Sequence, residues 1–123
     1  MGQLSEHFSF EEMRCHCGCS EFAIDDRLLE GLEQLRAAAG KPVHINSAFR
    51  CQKHNKEVGG CFGSYHCLGK AADVVIDGVS PADVAALAEK IDLFRYGGIG
   101  IYNNFTHLDV RGTPARWTVI KKT

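Results

Sequence analysis

The sequence predicts an α+β fold, a small and mostly antiparallel sheet with helices packed on one face. Segments with helical periodicity fall early in the chain, whereas short strand-like segments cluster late and are separated by tight turns. The Asn103-Asn104 pair between two of the late segments suits a two-residue hairpin, which joins antiparallel neighbours.

Taken in chain order, the first element is a helix from Asp25 to Ala39. Leu28, Leu32, Leu35 and Ala39 recur at helical spacing behind an acidic cap, and Gly40 and Pro42 end the run. Val43 to Ala48 reads as a strand, and Gln52 to Val58 as a short helix stopped by Gly59-Gly60. Ala71 to Ile76 is the next strand. Ser80-Pro81-Ala82-Asp83 is a capped helix start with proline in the first position, and Val84, Leu87, Ala88 and Ile91 then supply one apolar stripe. Three strands follow, Gly98 to Tyr102, Phe105 to Val110 and Trp117 to Lys121. The glycines at Gly59-Gly60, Gly63, Gly69 and Gly97-Gly98 read as turns.

With 123 residues, of which 45% are apolar and 24% charged, the chain has the balance of one globular domain spanning residues 1–123. Such a domain holds together by its core and does not require disulfides. The 14 basic and 15 acidic residues leave a formal charge of −1, which gives no footprint for nucleic acid or an anionic membrane. No apolar stretch approaches the ~20 residues of a membrane span, and Met1 to Phe10 lacks the basic start and apolar centre of a secretory signal. A cytosolic or mature chain, acting as a monomer, is the expectation.

Polar residues interrupt two of the strands in an informative way. In Ala71 to Ile76 the alternation puts Ala72, Val74 and Ile76 on one face and Asp73 on the other. In Phe105 to Val110 it puts Thr106, Leu108 and Val110 on one face, with His107 and Asp109 together on the opposite one. An ionised carboxylate in an otherwise apolar strand is costly unless it is paired, hydrogen-bonded or bound to metal. Seven residues before Asp73 stands His66, in a loop that Gly69 allows to fold back into the strand. His66, Asp73 and His107 make a set of two imidazoles and one carboxylate. Such a set suits Zn2+ with a fourth position open to water, and the chemistry it implies is hydrolysis.

Several ordered motifs resemble those of the zinc D-alanyl-D-alanine carboxypeptidases and their peptidoglycan-cleaving relatives, which share a core with the hedgehog signalling domain. Ser64-x-His66-x-x-Gly69-x-Ala71-x-Asp73 is similar to the family's S-x-H-x-x-G-x-A-x-D signature, and His107-x-Asp109 to its late H-x-H/D element. Upstream, Ser47-Ala48-Phe49-Arg50 with Asn55 and Val58-Gly59-Gly60 resembles S-G-Y-R followed by N-x-x-V-G-G. The resemblance implies that His66, Asp73 and His107 are zinc ligands. It also implies that Arg50 binds the substrate carboxylate or stabilises the oxyanion, a role that suits a planar guanidinium. Ser64 is a lesser candidate for orienting substrate or a ligand. The substrate class it implies is the peptidoglycan stem peptide, with action at the bacterial cell wall on a bond involving D-alanine.

The chain departs from that pattern at Asn104. The family's general base lies three residues before the last histidine ligand, and an amide there cannot take a proton from water. Asp109 either accepts that proton or orients His107 from behind. A non-catalytic, zinc-stabilised module that binds peptidoglycan or protein is the rival reading, and Asn104 is its best support. Trp117 and Phe105 are assigned to packing, and His7, His16, His44 and His54 have no constellation around them. Six cysteines complete the inventory. Cys15, Cys17 and Cys19 alternate too closely to pair easily with each other, and a metal, bonds to the distant Cys51, Cys61 and Cys67, or free thiols all remain open.

Overall fold

The computed structural model describes residues 2–17, 19, 21–58 and 64–121. Eleven elements follow in order among them. They are α1 (Phe10–Met13), α2 (Asp26–Ala39), β1 (His44–Ser47), α3 (Gln52–Glu57), a 3-10 turn (Tyr65–Leu68), β2 (Ala71–Val75), α4 (Pro81–Ala88), α5 (Asp92–Arg95), β3 (Gly98–Tyr102), β4 (Thr106–Asp109) and β5 (Ala115–Val119). The strands form one sheet in the order β1-β2-β4-β3-β5, antiparallel except for the β3–β5 pair. The expected α+β class and mostly antiparallel sheet are what the chain adopts. No helix of the described residues is long and apolar enough to cross a membrane.

The helix signals act as their chemistry dictates. The Asp25 side chain accepts from the Arg27 N–H, and Gly40 ends α2 in the left-handed conformation at φ 65°. Ser80 caps α4 by accepting from the Asp83 N–H, with Pro81 just inside the first turn. Leu28, Leu32 and Leu35 face inward and are wholly buried. Ala72, Val74, Ile99, Leu108 and Val110 supply the sheet side of the same core. Each fully buried leucine contributes about 1.5–3 kcal/mol, and this apolar layer leaves the other face of the sheet free for chemistry.

Several boundaries differ from the sequence expectation. The stripe read as one helix to Ile91 breaks after Ala88, and Asp92 starts the separate α5, because Ile91 has extended backbone at φ −108° and ψ 114°. The last strand begins at Ala115 rather than Trp117, where its N–H reaches the Gly97 carbonyl and the parallel pairing with β3 sets the register. Gly98 begins β3, as the strand reading of Gly98 to Tyr102 had it, so its other reading as a turn residue does not hold. The short α1 and the 3-10 turn carried no periodicity that would have shown them. The Gly59-Gly60 stop, Gly63 and Cys61 lie outside the described residues. The Asn103-Asn104 hairpin forms as expected, closed by the Tyr102 N–H donating to the Phe105 carbonyl at 3.0 Å.

Gly69 joins the 3-10 turn to β2 with φ at 71°, and a Cβ there would stand 2.4 Å from the Ala23 carbonyl oxygen. The same residue accepts from the Asp25 N–H, so it locks the start of α2 to the start of β2. Gly69→Ala is expected to cost at least about 1–2 kcal/mol for the left-handed backbone alone, with the displacement of Ala23 added. Chemical denaturation read by circular dichroism checks this, and an unchanged midpoint would contradict it.

Candidate metal centre

The antiparallel pairing of β2 with β4 sets Asp73 directly across from His107. Both lie on the face opposite the apolar core, as the alternation required. The third group arrives from outside the sheet. Ser64 caps the 3-10 turn by accepting from the His66 N–H at 3.1 Å, and the turn swings the His66 ring over β2. His66, Asp73 and His107 are all buried, and one donor atom from each lies within 4.8 Å of the others.

The orientation of each ring is fixed from behind. His66 Nδ1 is 2.7 Å from the Ala48 carbonyl, which can only accept, so this nitrogen carries the hydrogen. His66 Nε2 therefore presents a lone pair. It is buried and makes no hydrogen bond, although Asp73 Oδ1 lies 3.3 Å away. His107 Nε2 is 2.7 Å from Asp109 Oδ2, and His107 Nδ1 is 3.1 Å from the same Asp73 Oδ1. Two ring nitrogens thus converge on one carboxylate oxygen while their far sides are held by acceptors. Lone pairs facing one another in a buried site repel unless a cation stands between them, and two imidazoles with one carboxylate are a donor set that fits zinc.

Asp109 takes a different place from a free base. It is 0% exposed, and its oxygens accept from the Gly98 N–H, the Arg111 N–H, the Arg111 guanidinium and His107. Burial opposes its ionisation, yet the His107 and Arg111 donors outweigh that and hold its carboxyl well below the ordinary carboxylate range. Asp73 behaves likewise. Burial raises its pKa, but His107 and His66 draw it far lower. His107 is pulled the other way, because the Asp109 and Asp73 carboxylates overcome the burial penalty on the imidazolium and raise its pKa.

Arg50 reaches the site from the loop after β1. Its Nη2 donates to Asp73 Oδ2 at 3.4 Å and its Nη1 to Asn55 Oδ1 at 3.1 Å. Both terminal nitrogens are turned towards protein oxygens, and the Arg50 N–H donates to the His66 carbonyl. Ser64 acts on the backbone of His66. Asn104 is exposed in the β3–β4 turn.

Arg111 at the site was not singled out from the sequence. Arg111 grips Asp109 and lies 4.4 Å over the Tyr65 ring and 5.3 Å from the Trp117 ring. Its signal was present, since His107, Asp109 and Arg111 alternate along one face. Trp117 packs against His107 with ring centroids 5.0 Å apart, so it walls the site as well as packing the sheet. Gly98 and Gly100 make room here: a Cβ at Gly98 would meet Asp109 Oδ2 at 2.2 Å, and one at Gly100 the Trp117 indole at 2.3 Å. Phe105 stacks on Tyr102, as packing.

A family model described as Peptidase M15 matches residues 6–109, a span that holds Arg50, His66, Asp73, His107 and Asp109. The chain belongs to the peptidase M15 family. Among curated relatives of this M15 chain are the proteins named peptidoglycan L,D-endopeptidase MepK of Escherichia coli (strain K12) and of Shigella flexneri. Each is 33% identical over 104 residues, which covers 77% of this chain and 55% of the relative. The M15 chain thus spans little more than half the length of those relatives.

Proposed function

We propose that this M15 domain is a zinc-dependent hydrolase of a peptide bond in bacterial peptidoglycan stem peptides, of the endopeptidase type. The observation that carries the proposal is the convergence of His66 Nε2 and His107 Nδ1 on Asp73 Oδ1, at 3.3 and 3.1 Å, with the His66 nitrogen unpartnered in a buried site. Zinc bound there supplies acidification of a water and polarisation of the scissile carbonyl. His66 is aimed by Ala48, and His107 by Asp109. Asp73 is held from its other oxygen by Arg50, whose charge stands beside the reacting centre and favours a developing oxyanion. Trp117 packs against His107, and Tyr65 lies under the Arg111 guanidinium that grips Asp109. The name of the curated relatives supports the substrate class.

The endopeptidase reading rests on Arg50. A carboxypeptidase needs a cation presented to the terminal carboxylate, and the Arg50 terminal nitrogens are already turned to Asn55 and Asp73. Arg50→Gln is therefore expected to lower kcat about 10²–10³-fold with little change in KM on a cross-linked muropeptide. A raised KM at unchanged kcat would instead mark Arg50 as the receptor of a terminal carboxylate, the D-alanyl-D-alanine carboxypeptidase outcome. The decisive experiment incubates zinc-loaded protein with purified cross-linked and uncross-linked muropeptides. New amine ends within the peptides support the proposal. Release of free D-alanine alone would replace it with the carboxypeptidase. An absence of product would favour a peptidoglycan-binding module, since Asn104 is an amide and Asp109 is committed to His107.

A further inference from the structure

Away from the histidine site, a second set of donors converges. The Sγ atoms of Cys15 and Cys17 are 3.3 Å apart, those of Cys15 and Cys51 3.7 Å, and those of Cys17 and Cys51 3.6 Å. The Cys19 thiol joins them, with all four sulfurs within 4.8 Å of one another. We propose that Cys15, Cys17, Cys19 and Cys51 form a structural zinc site, distinct from the His66–Asp73–His107 centre.

The spacing carries the proposal. Four thiolates around zinc at about 2.3 Å form a tetrahedron whose edges are about 3.8 Å, which the Sγ separations approach. A disulfide sits at about 2.05 Å and would satisfy only two members of a three-way contact. Backbone donors support thiolate character: the Cys51 N–H points to Cys15 Sγ at 3.5 Å and the His54 N–H to Cys51 Sγ at 3.4 Å. Cys15 and Cys51 are buried beside Phe49, with Phe22 and Ala23 packed against them, while Cys17 and Cys19 are exposed and give an ion its way in. Like charges this close cannot accumulate alone, and a divalent cation displaces the thiol protons and neutralises the set.

The ion would tie the segment before α2 to the start of α3, one residue beyond Arg50. The alternating Cys-x-Cys-x-Cys run supplies three ligands from five residues, and Cys51 closes the fourth corner from 32 residues past Cys19.

Metal analysis of the purified full chain, prepared under reducing conditions with zinc, tests this. Two zinc ions per wild-type chain are expected, with one retained in the His66→Ala/His107→Ala variant and one in Cys17→Ser/Cys19→Ser. Cobalt substitution of the wild type should give thiolate-to-cobalt charge-transfer absorption in the near ultraviolet, which persists in the histidine variant. A single ion lost with the histidines would overturn the proposal. So would a cobalt spectrum without thiolate bands, which needs no cysteine variant to fold, or an intact mass showing disulfides in place of metal under those conditions. The catalytic reading stands or falls separately, since each site is read in the variant that lacks the other.

Discussion

Replacing His66 or His107 by alanine is expected to remove one zinc ion per chain and to lower hydrolysis roughly 10³-fold or more. That loss corresponds to the several kcal/mol of charge stabilisation a catalytic metal supplies, at about 1.36 kcal/mol for each tenfold in rate. The two nitrogens that face Asp73 Oδ1, at 3.3 and 3.1 Å, have no other partner on that side, so neither remaining donor can replace the lost one. Folding should survive, because the apolar layer of α2, α4, α5 and the sheet lies on the opposite face. The same geometry gives a pH dependence with a definite sign. Asp73 is held deprotonated far below the usual carboxylate range, so the proton that competes with metal sits on His107, whose pKa its carboxylate neighbours raise. Affinity at this centre should be level above that raised pKa and fall as pH drops through it, starting above the ordinary histidine value of about 6.5. Zinc competition titrations over a pH series check both points. Retention of full activity and both ions by His107→Ala would refute the assignment of the centre.

Asp109→Asn is expected to cost about 3–5 kcal/mol of stability and about 10–100-fold in metal affinity. The carboxylate is enclosed by donors on every side: Gly98 N–H, Arg111 N–H and Nε on Oδ1, and His107 Nε2 and Arg111 Nη2 on Oδ2. An amide offers one acceptor oxygen. Whichever way it turns, its NH2 group meets N–H donors and leaves them unsatisfied in a buried site. Arg111→Met in the same background removes the two guanidinium contacts and their charge, leaving the residue 111 backbone N–H, and should recover part of the stability without recovering the orientation of His107. A double-mutant cycle on unfolding free energy, run beside metal titrations, separates the two effects. Wild-type metal affinity in Asp109→Asn would mean that His107 is oriented by something else.

The legible part of this molecule was whatever depends on neighbours in sequence. Alternation along Ala71–Val75 and Thr106–Asp109 placed Asp73, His107 and Asp109 on the chemical face, and caps at Asp25 and Ser80 started the two main helices where the chain starts them. Arg111 continued the same alternation and could have been read with them. Other features had no local signal. The Ala48 carbonyl that fixes the His66 tautomer is 18 residues away from it, and the parallel pairing that carries Trp117 to His107 depends on β5 passing beyond β3.

The two candidate centres divide along that line. Residue identity and spacing alone determined that two imidazoles and a carboxylate were available, because strand pleat assigns faces without reference to the rest of the chain. Only the tertiary structure decided which nitrogen of each ring looks inward, that Asp109 is enclosed rather than free, and that Cys51 meets Cys15, Cys17 and Cys19. Those outcomes depend on how separate segments pack against one another. Distance along the chain sets no distance in space once a core has formed.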